Sequence, residues 1–209
     1  MTPDTSAAVV AATANPGKTA ELAAALAPAG IEVVGLETLQ DATHVEENGK
    51  TFEDNALLKA CAYSLRTELP VLADDSGLEV DALGGAPGVL SARYGSPQLT
   101  DAARCRALLK ALVDVPAPKR TARFRCVLAV AREGRVLGTF EGTVEGTILL
   151  KPTGKDGFGY DPIFFHPGAG RSFAQLSREE KQALSHRGAA IARMIEALRA
   201  GTLDLWART

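Results

Sequence analysis

Two acidic pairs give the sequence its most obvious chemistry. Glu46-Glu47 lies in a polar stretch, and Asp74-Asp75 follows the apolar run Val71-Leu72-Ala73. Carboxylate oxygens are the ligands that hard magnesium takes, and the ion keeps several waters besides. One carboxylate from each pair could therefore hold Mg2+ against a triphosphate. Successive side chains of a strand point to opposite faces, so Asp74 and Asp75 do not share one ion unless the chain turns between them. Taken alone, Glu46-Glu47 reads equally as a solvated loop, because acidic residues are usually exposed. An acidic pair that ends a buried strand and precedes Ser76-Gly77 needs a polar environment there.

A second set of residues suits an anion. Thr13-Ala14-Asn15-Pro16-Gly17-Lys18 separates an apolar run, Ala7 to Ala12, from a helical pattern that begins at Lys18. A helix N-terminus offers unpaired N–H groups and the positive end of the dipole. Gly17 admits a close approach, Lys18 adds a full charge, and Thr13 and Asn15 can donate from their side chains. Together these make a phosphate cradle. The alternative is an Asn-Pro-Gly turn with a solvated lysine. A further rival is a P-loop: Ala12, four residues, then Gly17-Lys18-Thr19 nearly matches that motif, with alanine in place of its first glycine. Val71 to Asp75 could then pass for the strand and acid that hold magnesium in such enzymes.

A third group could read a base. Phe158-Gly159-Tyr160-Asp161-Pro162 puts two aromatics and a carboxylate in a glycine-rich turn. An aromatic ring can stack on a base, and Asp161 can accept from ring N–H or amino groups. The plain alternative is a turn with two core aromatics. Ser185-His186-Arg187-Gly188 opens the last helical pattern, with Ser185 as N-cap candidate and Lys181 just upstream. Arg187 is a fixed donor, and His186 donates from one ring nitrogen even when neutral. Such donors suit a keto oxygen and oppose an amino group, because a buried donor facing another donor goes unpaired. His44 and His166 have no comparable neighbours and read as surface or loop residues.

The elements that must carry these residues alternate between helix and strand. Leu22, Ala25, Leu26 and Ala29 form one helical face that Gly30 ends. Ile31 to Leu36 reads as a strand. Thr51-Phe52-Glu53-Asp54 predicts a capping box, and its helix ends before Pro70. Val71 to Ala73 predicts a buried strand leading into a loop, and Thr100 to Val113 an amphipathic helix. The alternation of Phe124, Cys126, Leu128 and Val130 predicts a strand, with Val136–Phe140 and Thr147–Leu150 as antiparallel partners. Ser172–Ala183 and Ser185–Arg199 read as helices. Interspersed helices, strands and hairpins indicate an α/β fold with a mixed sheet covered by helices. No linker divides the 209 residues, which reads as a single domain spanning 1–209.

Hydrophobic residues make up 46% and charged residues 23%, which excludes a disordered chain. A net charge of −2 argues against a broad nucleic-acid-binding surface. Cys61, Cys105 and Cys126 lack CxxC spacing, so a disulfide framework or zinc site is not expected; they read as small buried hydrophobes. Met1 to Val10 has no basic region or long apolar run, and no stretch is long enough to span a membrane. A cytoplasmic protein without a membrane partner fits.

These segments together resemble the inosine triphosphate pyrophosphatase family. The matching pieces are Thr13 to Lys18, Thr51-Phe52 with Asn55 to Ala60, and Ala73 to Leu78. Leu83 to Gly88 follow, then Ser91 to Tyr94, Phe158 to Pro162, and Ser185-His186-Arg187. They run in the family's order from about Val9 to about Leu198. Asp54 stands where the family more often has glutamate, a change that leaves the helix cap intact. The resemblance implies a long mixed sheet with helices in two lobes around a central cleft, and a homodimer. It implies that Thr13, Ala14, Asn15, Pro16, Gly17 and Lys18 hold phosphates and that Ser76 contacts substrate. Asp75 would be the catalytic carboxylate and a Mg2+ ligand, with Glu47 and Glu46 on the same ion. Phe158, Gly159, Tyr160, Asp161, Lys181, His186 and Arg187 would form the nucleotide and base pocket. The implied reaction is attack of water on the α-phosphorus of ITP, dITP or XTP, with pyrophosphate leaving. A P-loop enzyme, cutting at the γ-phosphate, and a non-catalytic nucleotide-binding module are the competing readings.

Overall fold

The computed structural model of the chain describes residues 7–206. Most of the segment read for a leader, Met1 to Ser6, lies outside them. Seven strands form one mixed sheet: β1 (Ala8–Ala11), β2 (Glu32–Val34), β3 (Val71–Val80), β4 (Thr121–Arg132), β5 (Arg135–Ile148), β6 (Phe164–His166) and β7 (Arg171–Ser172), in the order β2-β1-β3-β4-β5-β6-β7. β1 pairs in parallel with β2 and β3, its Val10 opposite Val34 and Val71. β6 pairs antiparallel with β5 and β7. The helices are α1 (Pro16–Leu26), α2 (Phe52–Ser64), α3 (Asp101–Ala111), α4 (Arg178–Leu184) and α5 (His186–Arg199). The α/β class and mixed sheet are those the sequence predicts.

Local sequence explains the main boundaries. Asn15 caps α1 by accepting from Gly17 N and Lys18 N, and Pro16 takes the first helical position, where no N–H is needed. The helix thus begins two residues before the expected Lys18. After a 3₁₀ turn, Gly30 closes the segment with a φ of 72°. The expected capping box at Thr51 and Asp54 is present at the start of α2. The strand from Val71 does not stop at Ala73 but runs through Asp74-Asp75-Ser76-Gly77 to Val80. Val136–Phe140 and Thr147–Leu150 are not separate strands: Arg135 to Ile148 is one strand. It follows β4 through Glu133-Gly134, both with positive φ, which suits a tight two-residue hairpin. Ser172–Ala183 is not one helix either. Ser172 and Gln175 close a single 3₁₀ turn, and a second capping box, Ser177 with Glu180, starts α4.

The described residues form two compact units. One holds those up to Asp75, Cys126–Gly142 and those from Arg187; the other holds Ser76–Arg125 and Thr143–His186. The first is built on Val9, Leu22, Leu26, Leu72, Leu128 and Ile191. The second is built on Leu78, Leu108, Phe124, Ile163, Phe164 and Phe173. Each such side chain contributes about 1.5–3 kcal/mol on burial. Phe164 lies 4.6 Å from Phe124 and 4.9 Å from Phe173, centroid to centroid, which adds to the second core. Among the described residues no helix is long and apolar enough to cross a membrane.

Candidate active site

In the first unit, β3, the helices beside it and the loop that carries Glu47 bring seven charged side chains into two groups. The first group surrounds Asp74, whose side chain is fully buried. Lys18 Nζ lies 2.5 Å from Asp74 Oδ1, and Arg187 Nε donates to Asp74 Oδ2 at 2.7 Å. Arg187 Nη1 pairs with Glu21, one turn along α1 from Lys18. The Cys126 thiol donates to Asp74 Oδ2 at 3.1 Å. Burial opposes the charge on Asp74, but Arg187 and Lys18 outweigh it and hold the carboxyl well below its usual range. Burial likewise pushes the Cys126 thiol up, so it stays protonated and able to donate. Charges this deep are tolerated only when paired.

The second group surrounds Asp75. Lys59 Nζ donates to Asp75 Oδ1 at 3.3 Å and to the Asp74 carbonyl at 2.9 Å, and lies 3.3 Å from Glu47 Oε1. Asn55 Nδ2 donates to Asp75 Oδ2 at 3.3 Å, while its oxygen accepts Gly49 N–H at 2.8 Å. Burial pushes the Asp75 carboxyl up to about 6. Lys59 and Lys18 oppose that rise, and Glu47 and Asp74 add to it. Glu47 is half-buried and faces this group; Glu46 is exposed. The two aspartates therefore divide as strand alternation requires, one to each group.

Carboxylate oxygens from Asp75 and Glu47 both come to Lys59 Nζ, and Asp75 resists ionisation. Both properties are expected where a cation is to be gathered. Among the described residues no group of three or more His, Cys, Asp or Glu side chains forms a ready metal cage. Magnesium does not need one, since one or two carboxylates with substrate phosphates and waters suffice. The residues present fit that ion.

The proposed phosphate cradle is partly closed by its own side chains. Asn15 Oδ1 accepts Gly17 N–H at 2.9 Å and Lys18 N–H at 3.3 Å, and Thr13 Oγ1 accepts Asn15 N–H at 3.1 Å. Thr13 and Asn15 accept through these oxygens, which leaves the Thr13 hydroxyl hydrogen and the Asn15 amide nitrogen able to donate. Ala14, Asn15 and Pro16 are exposed, and Gly17 and Lys18 half-buried.

In the second unit, Lys181 and Asp161 form a buried ion pair, Nζ to Oδ2 at 2.5 Å. Asp161 also accepts Phe158 N–H at 2.8 Å, and Lys181 Nζ stands 4.4 Å from the Phe158 ring centroid. Tyr160 is buried, its hydroxyl donating to Ser91 O at 2.9 Å. His186 is buried with its ring stacked 4.8 Å from Phe124. Ser76 is half-buried on β3, and Ser185 is buried at the end of α4. Of the residues predicted to read a base, Phe158, Gly159, Tyr160, Asp161, Lys181 and His186 belong to this unit, and Arg187 to the first. His44 is exposed, as expected. His166 is half-buried on β6, where Nδ1 accepts Ala169 N–H.

Sequence reasoning missed Glu21 and gave Asn55 and Lys59 no chemical role. A signal was present for the latter two. They are four residues apart on the stripe of α2 that buries Phe52, Ala56, Ala60 and Tyr63. A lysine and an asparagine on a core stripe need buried partners.

The Ham1 family sequence pattern matches residues 9–197. A "dITP/XTP pyrophosphatase" of Nitratidesulfovibrio vulgaris is 52% identical over 199 residues, covering 92% of this chain and 96% of its own. One from Geobacillus kaustophilus is 50% identical over 188 residues, covering 90% and 92%. The solved structure of the Staphylococcus aureus Ham1 protein superposes with a TM-score of 0.81 at 39% identity, over 93% of this chain and 99% of that one. With the family pattern and these relatives spanning nearly its whole length, the chain belongs to the Ham1 family.

Proposed function

We propose that the chain is a magnesium-dependent nucleoside-triphosphate pyrophosphatase that hydrolyses ITP, dITP and XTP to the monophosphate and pyrophosphate. Relatives about half identical over nine-tenths of the chain are named "dITP/XTP pyrophosphatase". The observation that carries the reading here is the meeting of Asp75 and Glu47 at Lys59, with Lys18 close enough to lower the Asp75 carboxyl. A nucleotide-binding module would not need two carboxylates so placed.

In this mechanism Asp75 and Glu47 would hold magnesium, which would spread the charge that develops on the departing pyrophosphate. Asp75 would also orient the attacking water by accepting its hydrogen bond at a carboxylate oxygen. Lys59 and Asn55 fix that carboxylate in place. Lys18 binds phosphate oxygens, and Asp74, itself held by Arg187, fixes the lysine. Phe158 would stack on the base, and Lys181 and His186, in the same unit, would provide donors for a 6-keto oxygen. The protein's contribution is positioning and electrostatics. The protein acts as a cytoplasmic homodimer, a state that light scattering coupled to size exclusion tests. A turnover assay with ITP, with and without magnesium, and with the products identified, tests the activity.

A further inference from the structure

Both backbone polar groups of Gly159 are taken by one face of α3. Asp101 Oδ2 accepts Gly159 N–H at 2.7 Å, and the Cys105 thiol donates to Gly159 O at 3.3 Å. Asp101 and Cys105 are four residues apart, so they lie one turn apart on the same side of the helix. The other Asp101 oxygen takes Arg104 Nη1 at 2.8 Å, and Arg104 Nη2 is tied to Leu99 O at 2.8 Å. The carboxylate is therefore oriented, although Asp101 itself is exposed. Burial first, then the Asp101 and Asp161 charges, push the Cys105 thiol up to about 11. It remains a protonated donor at neutral pH.

The peptide so held flanks Phe158. Gly159 has a φ of +59°, and Gly157, on the other side of the ring, has +78°, a region that glycine enters at little cost. A Cβ on Gly157 would strike Asp161 Oδ2, the atom that accepts Phe158 N–H. Phe158 is thus carried on a turn whose two glycine hinges are braced separately, one by Asp161 and one by α3.

We infer that Asp101 is a positioning residue for nucleotide selectivity: by accepting Gly159 N–H it fixes the turn that aims Phe158, without touching the nucleotide itself. This rests on the proposed role of Phe158 to Asp161 at the base. Without Asp101, Gly159 is free to swing, and the ring no longer meets each base in one fixed pose. Cys105 braces the same peptide from its carbonyl side with a weaker bond.

The test measures kcat and KM for ITP and ATP on wild type, Asp101→Ala, Asp101→Asn and Cys105→Ala, with thermal melting of each. For Asp101→Ala the expected result is a rise of about tenfold in KM for ITP, with kcat within about threefold, the scale of one lost charge-assisted hydrogen bond. The ITP-to-ATP ratio of kcat/KM narrows by about tenfold. Asp101→Asn, which keeps an acceptor oxygen, recovers most of the ratio. Cys105→Ala narrows the ratio by about threefold, and carries the test should Asp101→Ala fail to fold. A ratio within about twofold of wild type in Asp101→Ala, whatever its melting temperature, overturns the inference. So does an Asp101→Asn protein that behaves like Asp101→Ala, or an unchanged ratio in Cys105→Ala. Wild type that fails to hydrolyse ITP would overturn the proposed function instead.

Discussion

Asp74 and Asp75 are consecutive on β3 yet serve different charges: Asp74 Oδ1 lies 2.5 Å from Lys18 Nζ, and Asp75 Oδ1 lies 3.3 Å from Lys59 Nζ. Asp74 is held ionised by two cations, while Asp75 resists ionisation. One strand thereby supplies an anchor for the lysine proposed to bind phosphate and a carboxylate proposed to hold a metal. The two roles can be separated by mutation.

Asp75→Asn should lower kcat for ITP roughly a hundredfold or more, through loss of a metal ligand and a water-orienting group. It should also stabilise the metal-free protein. The folded carboxyl is raised from 3.8 to about 6, so its contribution is fully present below about pH 3.8 and lost as pH rises through 6. At pH 8 the ionised group costs up to about 3 kcal/mol, which the amide removes. Melting in chelator at pH 8 should therefore rise by several degrees as activity disappears. A lower melting temperature would contradict this account of Asp75.

Magnesium binding should weaken as pH falls through about 6, because a protonated Asp75 no longer offers its oxygen. Calorimetric titration with magnesium from pH 8 to pH 5 reads this. The affinity should be flat above the Asp75 value and fall by up to about tenfold per unit below it. Affinity independent of pH across that range would remove Asp75 from the ion.

Arg187→Ala takes from Asp74 and Glu21 a guanidinium that each now pairs with, while Lys18 stays beside Asp74. Breaking a buried pair from one side costs about 3–5 kcal/mol, which urea unfolding at pH 7 measures. Asp74 is a depressed carboxyl, so its stabilisation is present above its ordinary range and lost as pH falls through the lowered value. If Arg187 also reads a keto oxygen, as its place beside His186 in the sequence suggests, an additional effect follows. The kcat/KM for ITP should fall further than that for ATP. A stability loss with an unchanged ratio would make Arg187 a structural residue only.

Lys18→Ala should raise KM for triphosphates by roughly tenfold, and added salt should weaken binding by the wild type as well, since an ammonium acts as a screened point charge. If KM and kcat both stay at wild-type values, the phosphate site lies elsewhere.

Much of this arrangement was legible in the sequence because it is local. The Thr51–Asp54 capping box and the Gly30 stop need only neighbours, and both are found. Strand alternation alone set Asp74 and Asp75 apart. What the sequence hid depends on distant partners. Arg187 sits 113 residues from Asp74 and 166 from Glu21, and no pattern links them. The clamp of Gly159 by Asp101 spans 58 residues. The short strands β6 and β7 are too brief to show a period, and their edges are defined by pairing with β5 and each other.

On this reading the chain hydrolyses the non-canonical purine triphosphates ITP, dITP and XTP between the α- and β-phosphates. The most direct measurement incubates ITP, XTP, GTP and ATP with the protein and magnesium and identifies both products of each. Monophosphate and pyrophosphate are expected from ITP and XTP, with kcat/KM exceeding that for ATP by roughly a hundredfold or more, as for a site whose buried donors reject an amino group. Inorganic phosphate and the nucleoside diphosphate as products, or equal rates for ITP and ATP, would overturn this reading.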